Sequence, residues 1–357
     1  MSQTASARTR RTGILALLAA LACLAGFATA ELKTSPSATA TSPPGTATPG
    51  AGTAAPRQER LAAVSWPADG VSAADISGFG VVAGPGATQP VPIASVAKVM
   101  TAYVVLHDHP LPSGGSGPDI AVQPPEAAAY PSQVRDGDSL VPVVAGERLT
   151  ERQALEALLL PSADNMAWIL AGWDAGSQAA FVARMNATAR RLGMTGTSYT
   201  DPSGLDPSTT STAADQVRLG MAAMRVPVLA AIAAKSTAVV PVAGLVRNYN
   251  TLLGQDGIAG LKTGSTQAAG GCVLIAAWHK AGGHNTLIVA ATFGQPGTAG
   301  TILPNALQAG HNLVLALDRA LGSGVQSGSR DDFEGLLKGP PSRRSVTPLL
   351  PSGHAQP

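Results

Sequence analysis

Residues 92–106 read Pro92-Ile93-Ala94-Ser95-Val96-Ala97-Lys98-Val99-Met100-Thr101-Ala102-Tyr103-Val104-Val105-Leu106, a proline-led start to a segment that is apolar on nearly every side. A helix with so little polar surface is expected in a protein core. Ser95 and Lys98 stand at its first turn with i, i+3 spacing, so their side chains lie on one face within mutual reach. Loss of hydration in an apolar core favours the neutral amine of Lys98. A hydroxyl beside such a base is the minimum arrangement for covalent acyl transfer.

A second polar motif follows a helix predicted over 151–160. The segment Thr150-Glu151-Arg152-Gln153 forms a capping box that opens this helix, and Pro161 ends it. Ser162-Ala163-Asp164-Asn165 then falls in the break before another apolar helix, predicted from Met166. Polar side chains in such a break are well placed to project into a cleft. The alternative is that Ser162 or Asp164 simply caps the following helix.

A third motif, Lys262-Thr263-Gly264-Ser265, lies in a segment with the period and length of a strand. Its lysine and hydroxyl can offer positive charge and donors to an anionic ligand, while the glycine lets the ligand approach the backbone. A surface lysine before a turn is the alternative reading of this motif taken by itself.

The order of the predicted elements indicates an α+β fold. A strand is predicted over 78–83, a helical region over 150–224, further strands over 258–265, 273–278 and 287–293, and a last helix over 306–321. This order suits one sheet whose first and last strands come together, with a helical subdomain inserted between them. A cleft at that junction would collect Ser95, Ser162 and Lys262. A small hairpin is also predicted over 140–149.

The three motifs, in this order, resemble those of the serine D-Ala-D-Ala carboxypeptidases, which are low-molecular-mass penicillin-binding proteins of the peptidase S11 type. Agreement continues in Phe181-Val182-Ala183-Arg184-Met185-Asn186, in Asp201-Pro202-Ser203-Gly204-Leu205-Asp206 and in Asn250-Thr251-Leu252-Leu253. The resemblance covers about residues 61–293. It implies a β-lactamase/DD-peptidase-like fold, with an antiparallel sheet flanked by helices and a helical insertion.

Transferred by position, the resemblance implies that Ser95 attacks the carbonyl between two D-alanines and that Lys98 takes its proton. Ser162 would relay protons to the leaving amine, and Lys262 and Thr263 would bind the terminal carboxylate. The backbone N–H groups of Ser95 and Ser265 would form the oxyanion hole. The other expected substrate-binding residues are Gly264, Asp164 and Asn165. No cofactor is implied, β-lactams are expected inhibitors, and the expected substrate is the peptidoglycan pentapeptide with its D-Ala-D-Ala end.

The sequence departs from the family pattern at two places. The third position of the second motif is usually Asn, whereas here it is Asp164, so Asn165 is the alternative source of the amide. An arginine that many members carry near the start of a later strand is absent from residues 285–289.

Three alternatives to a carboxypeptidase remain open. A peptidoglycan endopeptidase would use the same residues. A class A β-lactamase would use a Glu downstream of the second motif, but no glutamate lies between Glu156 and Glu334. A non-catalytic envelope-binding protein would not need all three motifs intact.

The termini suggest export from a bacterial cell. Residues 1–30 have the basic, apolar and small-residue regions of a signal peptide, and a retained membrane anchor is the alternative. We predict a Ser/Thr/Ala/Pro-rich disordered linker over 31–57, the catalytic domain over 58–323 and a disordered tail over 324–357. The expected location is extracytoplasmic, in the cell envelope or secreted.

Composition excludes some other functions. The formal net charge is only +2 and forms no basic stripe, so no nucleic-acid partner is predicted. Without Cys23 of the signal, Cys272 has no disulfide partner, and its apolar neighbours predict burial. His107 and His109 have metal-like spacing, but no third ligand is near in sequence, so no metal site is predicted.

Overall fold

A computed structural model describes residues 57–281 and 284–322, all within one compact unit, Ala54–Pro357. The predicted signal segment 1–30, the tail 324–357 and nearly all of the linker 31–57 lie outside the described residues, so these boundaries stay predictions.

The described residues contain nine α-helices. In chain order they are α1 (Arg57–Ala62), α2 (Lys98–Asp108), α3 (Pro124–Asp136), α4 (Glu151–Leu159), α5 (Asp164–Ala175), α6 (Gln178–Arg191), α7 (Ala213–Ala223), α8 (Pro227–Ala233) and α9 (Ile302–Leu321). A short 3-10 helix, Ala94–Ala97, directly precedes α2.

Eleven β-strands complete this part of the chain. They are β1 (Val71–Ile76), β2 (Gly80–Ala83), β3 (Val91–Pro92), β4 (Asp119–Ala121), β5 (Arg148–Thr150), β6 (Thr210–Ser211), β7 (Thr237–Val240), β8 (Gly244–Arg247), β9 (Ile258–Thr266), β10 (Gly270–Ala281) and β11 (His284–Gln295).

The main sheet has five strands in the order β2-β1-β11-β10-β9, and all neighbouring pairs are antiparallel. Val71 of β1 lies opposite Phe293 of β11, so the first and last strands of the domain pair directly. The helices α2 to α8 fall between β1 and β9 in the chain. The predicted α+β architecture with a helical insertion is therefore confirmed.

The two faces of the sheet bury different helices because successive strand side chains point to opposite sides. On one face, residues such as Ala73, Leu274 and Val289 join the core that contains α2 and the other inserted helices. On the other face, Ala74 and Ile275 join a second core formed mainly with α9. The sheet therefore separates α9 from the nucleophile-bearing helix.

The sequence-based predictions missed or misplaced several smaller elements. The predicted hairpin over 140–149 is wrong, because β5 pairs with β4, about 30 residues earlier, and residues 140–144 are not a strand. The helix α3 was not predicted because its sequence has no clear apolar stripe. In the structure, none of its residues is fully buried. The strand β1 was missed because several of its buried side chains are small, as at Ser72, Ala73 and Ala74.

Within the described residues, no single helix is long and apolar enough to cross a bilayer; only the sharply bent pair α7 and α8 meets the criteria of length and composition.

Candidate active site

The predicted nucleophile and base are in direct contact. Nζ of Lys98 donates a hydrogen bond of 2.8 Å to Oγ of Ser95. Ser95 lies in the 3-10 helix and Lys98 begins α2, so the i, i+3 relationship holds although the first turn is tighter than an α-helical one. Ala94 has a positive φ of 47°, a conformation that is costly for a residue with a Cβ. Such local strain is typical of residues next to a reactive group.

Lys98 is fully buried, and three acceptors surround its amine. Besides Ser95, Nζ donates to Oδ1 of Asp164 at 2.6 Å and to the carbonyl oxygen of Ser203 at 3.0 Å. An ammonium group has three N–H donors, so this environment satisfies the charged form completely. The Asp164 carboxylate supplies the counter-charge that a buried ammonium requires.

The start of α5 holds Asp164 in this position. Its second oxygen, Oδ2, accepts from the backbone N–H of Ser139 at 3.0 Å, and its own N–H donates to the Ser139 carbonyl at 2.7 Å. Ala163 is the N-cap residue of α5, and no side chain caps the helix. The capping interpretation of Ser162 and Asp164 is therefore wrong.

Ser162 occupies the turn between α4 and α5. It has a left-handed backbone with φ of 64°, is buried, and has no hydrogen-bond partner among residues 57–281 and 284–322. The turn is fixed from both sides: the N–H of Ala163 donates to the Ala157 carbonyl, and the N–H of Tyr249 donates to the Leu160 carbonyl. A hydroxyl with no partner among the described residues, two residues from Asp164, is available for a substrate.

Asn165 faces away from Lys98. Its Oδ1 accepts from the N–H of Val141 at 3.3 Å, and its Nδ2 donates to the Val141 carbonyl at 2.8 Å. The backbone of Val141 therefore occupies both the oxygen and the nitrogen of this buried side-chain amide. The hypothesis that Asn165 supplies the amide missing at position 164 is therefore wrong, and Asn165 instead ties the segment around Val141 to α5.

Lys262 and Thr263 are buried on β9, the edge strand of the main sheet. Nζ of Lys262 donates to the carbonyl oxygen of Thr263 at 2.8 Å. Burial, reinforced by the positive charge of Lys98, holds the pKa of Lys262 well below its usual range, while Asp164 acts in the opposite direction. A buried lysine without its own carboxylate regains its charge when an anion binds beside it.

Gly264 allows β9 to approach the nucleophile. A Cβ at this position would lie 2.8 Å from the backbone nitrogen of Ser95. Any other residue would therefore push β9 away from the 3-10 helix. The next residue, Ser265, is exposed at the mouth of this junction. The structure thus brings the first and third sequence motifs together.

The loop 201–205 contributes residues that motif reasoning did not place in the site. One carboxylate, Asp201, accepts from the N–H groups of Ser203, Gly204 and Leu205 and from the hydroxyls of Ser203 and Thr209. This hydrogen-bond network around Asp201 presents the Ser203 carbonyl to Lys98. The Pro202 carbonyl also accepts from Thr101 of α2 at 2.5 Å.

Gly204 brings the same loop against the nucleophile segment. It has φ of 81°, and a Cβ there would lie 1.9 Å from the carbonyl oxygen of Ala94. In the sequence, this loop corresponds to the run Asp201 to Asp206, which also carries part of the family resemblance.

Cysteine and histidine side chains lie outside this site. Cys272 is buried, as predicted, and burial raises its pKa to about 12. His107 pairs with its neighbour Asp108, and His109 contacts Asp174. Among the residues that the structure describes, no group of three or more His, Cys, Asp or Glu side chains could hold a metal ion.

The chain is similar in sequence to known D-alanyl-D-alanine peptidases. Residues 69–294 match the peptidase S11 family, described as D-alanyl-D-alanine carboxypeptidase. A D-alanyl-D-alanine carboxypeptidase of Mycobacterium tuberculosis H37Rv is 37% identical over 235 residues, which cover 64% of this chain and 75% of the relative. A D-alanyl-D-alanine endopeptidase of Pseudomonas aeruginosa is 35% identical over 192 residues, 52% of this chain; the match spans only 59% of the relative.

Solved structures show the same fold. The crystal structure of a D-alanyl-D-alanine carboxypeptidase from M. tuberculosis H37Rv aligns with a TM-score of 0.60 at 32% identity, covering 74% of this chain and 97% of that one. The Streptomyces K15 DD-transpeptidase aligns with a TM-score of 0.62 at 23% identity, covering 71% and 99%. The expectation of a DD-peptidase-like fold is confirmed.

Proposed function

Because this chain belongs to the peptidase S11 family of D-alanyl-D-alanine carboxypeptidases, we propose that it removes the terminal D-alanine from peptidoglycan stem peptides through an acyl-enzyme on Ser95. The observation that carries the proposal is the 2.8 Å contact between Nζ of Lys98 and Oγ of Ser95, in a buried pocket bordered by the Lys262 strand. A nucleophile and base at hydrogen-bond distance are the geometric requirement for this chemistry.

In the acylation step, Oγ of Ser95 bonds to the carbonyl carbon between the two D-alanines as its proton passes to Lys98. The tetrahedral intermediate then collapses, the C–N bond breaks, and the leaving amine takes a proton. Water cleaves the resulting ester and restores the Ser95 hydroxyl. Lys98 must be neutral to accept the first proton, so the Asp164 carboxylate beside it influences how readily this step occurs.

Ser162 is the proposed route for the proton to the leaving amine. Support comes from its burial, its lack of a hydrogen-bond partner among the described residues, and its place in the turn before Asp164. A hydroxyl both donates and accepts, so it can pass a proton without ionising.

Lys262 and Thr263 are the proposed binding groups for the terminal carboxylate. The lowered pKa of Lys262 means that its ammonium form is less favoured in the buried site than in water, and an arriving carboxylate stabilises that form. This coupling favours ligands that carry an anion at this position. Peptides without a free C-terminal carboxylate are poor substrates under this proposal.

The backbone N–H groups of Ser95 and Ser265 are the proposed oxyanion hole. Support comes from the close approach of β9 at Gly264 to the Ser95 nitrogen. Fixed N–H donors aimed at the developing oxyanion stabilise the transition state more than the substrate.

Endopeptidase activity is the second candidate function. It is favoured by two relatives, from Pseudomonas aeruginosa and Escherichia coli, that are named D-alanyl-D-alanine endopeptidases and are 35% and 34% identical. Comparing release of free D-alanine from a pentapeptide with cleavage of a cross-linked peptide dimer separates the two activities.

We also propose that the enzyme acts outside the cytoplasm, where its substrate lies, and that β-lactams acylate Ser95. The signal-like sequence of residues 1–30 supports export. N-terminal sequencing of the mature protein from a secreting host would distinguish a cleaved signal from a retained anchor.

The central experiment compares wild type with Ser95→Ala. The wild type is expected to release D-alanine from a peptide ending in D-Ala-D-Ala and to bind a fluorescent penicillin covalently, whereas the variant is expected to do neither. Equal activity or equal labelling in the two proteins would overturn the mechanism. Rapid hydrolysis of nitrocefin by the wild type would favour a β-lactamase instead.

A further inference from the structure

A cavity of about 500 Å³ lies on the side of the sheet opposite to α2. Its walls are the segment 65–69, the end of β11 and the outer face of α9. The sheet separates this cavity from the buried Lys98, because α9 packs on the face that carries Ala74 and Ile275. The cavity is therefore not part of the site described above.

The outer face of α9 is unusual in its chemistry. Surface helices normally carry charged side chains toward solvent. Where α9 lines the cavity, it presents three side-chain amides and one charge at the far end, Arg319, together with the apolar residues Ala309, Leu313 and Ala316; the amides are Asn305, Gln308 and Asn312. A stripe with many neutral donors and acceptors and little charge suits an uncharged, hydroxyl- and amide-rich ligand.

These amides are oriented before any ligand arrives. Nε2 of Gln308 donates to Oδ1 of Asn312 at 2.9 Å, and Nδ2 of Asn305 donates to the Pro296 carbonyl at 2.8 Å. Each amide is held by one end. The other ends, Oε1 of Gln308, Nδ2 of Asn312 and Oδ1 of Asn305, have no partner among residues 57–281 and 284–322. Pre-oriented groups lose less conformational entropy on binding.

Trp66 supplies an aromatic wall. The half-buried indole packs on the backbone of Gly84, where a Cβ would lie 2.4 Å from Cε3 of the ring. The ring therefore packs closely against the backbone that follows β2. A rigid aromatic surface beside convergent amides can contact both the C–H and the O–H or N–H groups of a pyranose.

The cavity lies at the end of the sheet where β9 carries Ser265. Gly271 of β10 lies opposite Ser265 on one side and Gln295 of β11 on the other. Gln295 lines the cavity and donates through Nε2 to the Asp69 carbonyl at 2.7 Å. Two strand spacings, about 10 Å, separate Ser265 from Gln295. An extended five-residue stem peptide spans up to about 17 Å, which exceeds the spacing between these two strand residues at the shared end of the sheet.

We propose that this cavity, lined by Trp66, Gln295, Asn305, Gln308, Asn312 and Arg319, binds N-acetylated amino sugars of the peptidoglycan glycan strand while the attached stem peptide enters the active site. The proposal rests on the proposed function, because it extends the same substrate beyond its peptide end. If the cavity binds the glycan, glycan-linked stem peptides are better substrates than free peptides of the same sequence.

The test measures D-alanine release from a free pentapeptide and from the same pentapeptide attached to a short glycan of alternating N-acetylglucosamine and N-acetylmuramic acid. The wild type is expected to have a KM about tenfold lower for the glycan-linked substrate. In Gln308→Ala/Asn312→Ala this preference is expected to disappear. The matched control Gln178→Ala removes an exposed amide from α6 and is expected to keep the preference.

Direct binding gives a second readout. Titration with tetra-N-acetylchitotetraose, followed by calorimetry, is expected to saturate with wild type and not with the double variant. Equal KM values for the two substrates in wild type, or identical preference in wild type and double variant, would overturn the proposal. Failure of the proposed function would instead appear as no D-alanine release from either substrate and no penicillin labelling.

Discussion

Lys98 and Asp164 form a buried ion pair, with 2.6 Å between Nζ and Oδ1, although the two residues lie 66 positions apart. The same amine is the only partner that the structure gives to Oγ of Ser95 within the described part of the chain. A carboxylate therefore contacts the same amine that must accept the nucleophile's proton. The consequences of this pairing can be measured.

Asp164→Asn is expected to slow acylation by a β-lactam. The Asp164 carboxylate accepts from Nζ of Lys98 through one oxygen and from the N–H of Ser139 through the other, whereas an amide can accept at only one of these positions. The variant therefore loses one of the contacts that position Lys98 beside Ser95, and we expect the acylation rate constant to fall by about tenfold. Stopped-flow measurements with a chromogenic cephalosporin would show this. An unchanged rate constant would mean that Asp164 does not position Lys98 for proton transfer from Ser95.

Asp201→Asn is expected to lower kcat/KM for D-alanine release by about tenfold. Asn can no longer accept hydrogen bonds at both ends of its side chain, so the loop that presents the Ser203 carbonyl to Lys98 loosens. Asp206→Asn is the matched control, since Asp206 also accepts from a backbone N–H two residues on, at Ser208, but lies exposed in the same loop. Equal kcat/KM values for the two variants would contradict a role for Asp201 in positioning Lys98.

Lys262→Met is expected to stabilise the folded protein while abolishing its activity. The pKa of Lys262 is depressed in the folded state, so at neutral pH folding must bury a group that the unfolded chain prefers to keep protonated. That cost is absent above the ordinary pKa of lysine and grows as the pH falls toward the folded value. Removing the amine should raise Tm at pH 7 by about 2–4 °C. A lower Tm measured by calorimetry would indicate that Lys262 stabilises the fold.

Glu151 is expected to make the protein less stable as the pH rises from about 4.5 to about 7. Its carboxyl is fully buried, neither oxygen has a hydrogen-bond partner among the described residues, and this burial raises its pKa to about 7. The unfolded chain releases this proton first, so the stabilisation present below pH 4.5 is lost as the pH passes the folded pKa.

Glu151→Gln keeps the shape of the side chain without the ionisation. We expect its Tm to match wild type at pH 4.5 and to exceed it at pH 8 by about 3 °C or more. The control Glu59→Gln, at an exposed position of α1, is expected to follow the wild type at both pH values. Parallel Tm curves for Glu151→Gln and wild type would show that Glu151 does not titrate in this range.

Features that depend on local spacing along the chain were predictable from the sequence. The contact of Ser95 with Lys98 follows from i, i+3 geometry, the capping box of Thr150 and Gln153 opens α4 as predicted, and the apolar runs of β9 to β11 identify the strands. The order of these elements was enough to indicate one sheet with a helical insertion.

The identity of the distant groups that complete the site became evident from the packing of the helices and strands. That Asp164 pairs with Lys98 while Asn165 pairs with Val141 depends on how α5 packs against the segment around residue 139. The pairing of β5 with β4, the contact of the Ser203 carbonyl with Lys98 and the depressed pKa of Lys262 likewise arise from contacts between segments separated along the chain. Backbone periodicity fixes which neighbours along one element share a face, whereas burial and long-range partners exist only once the elements have packed together.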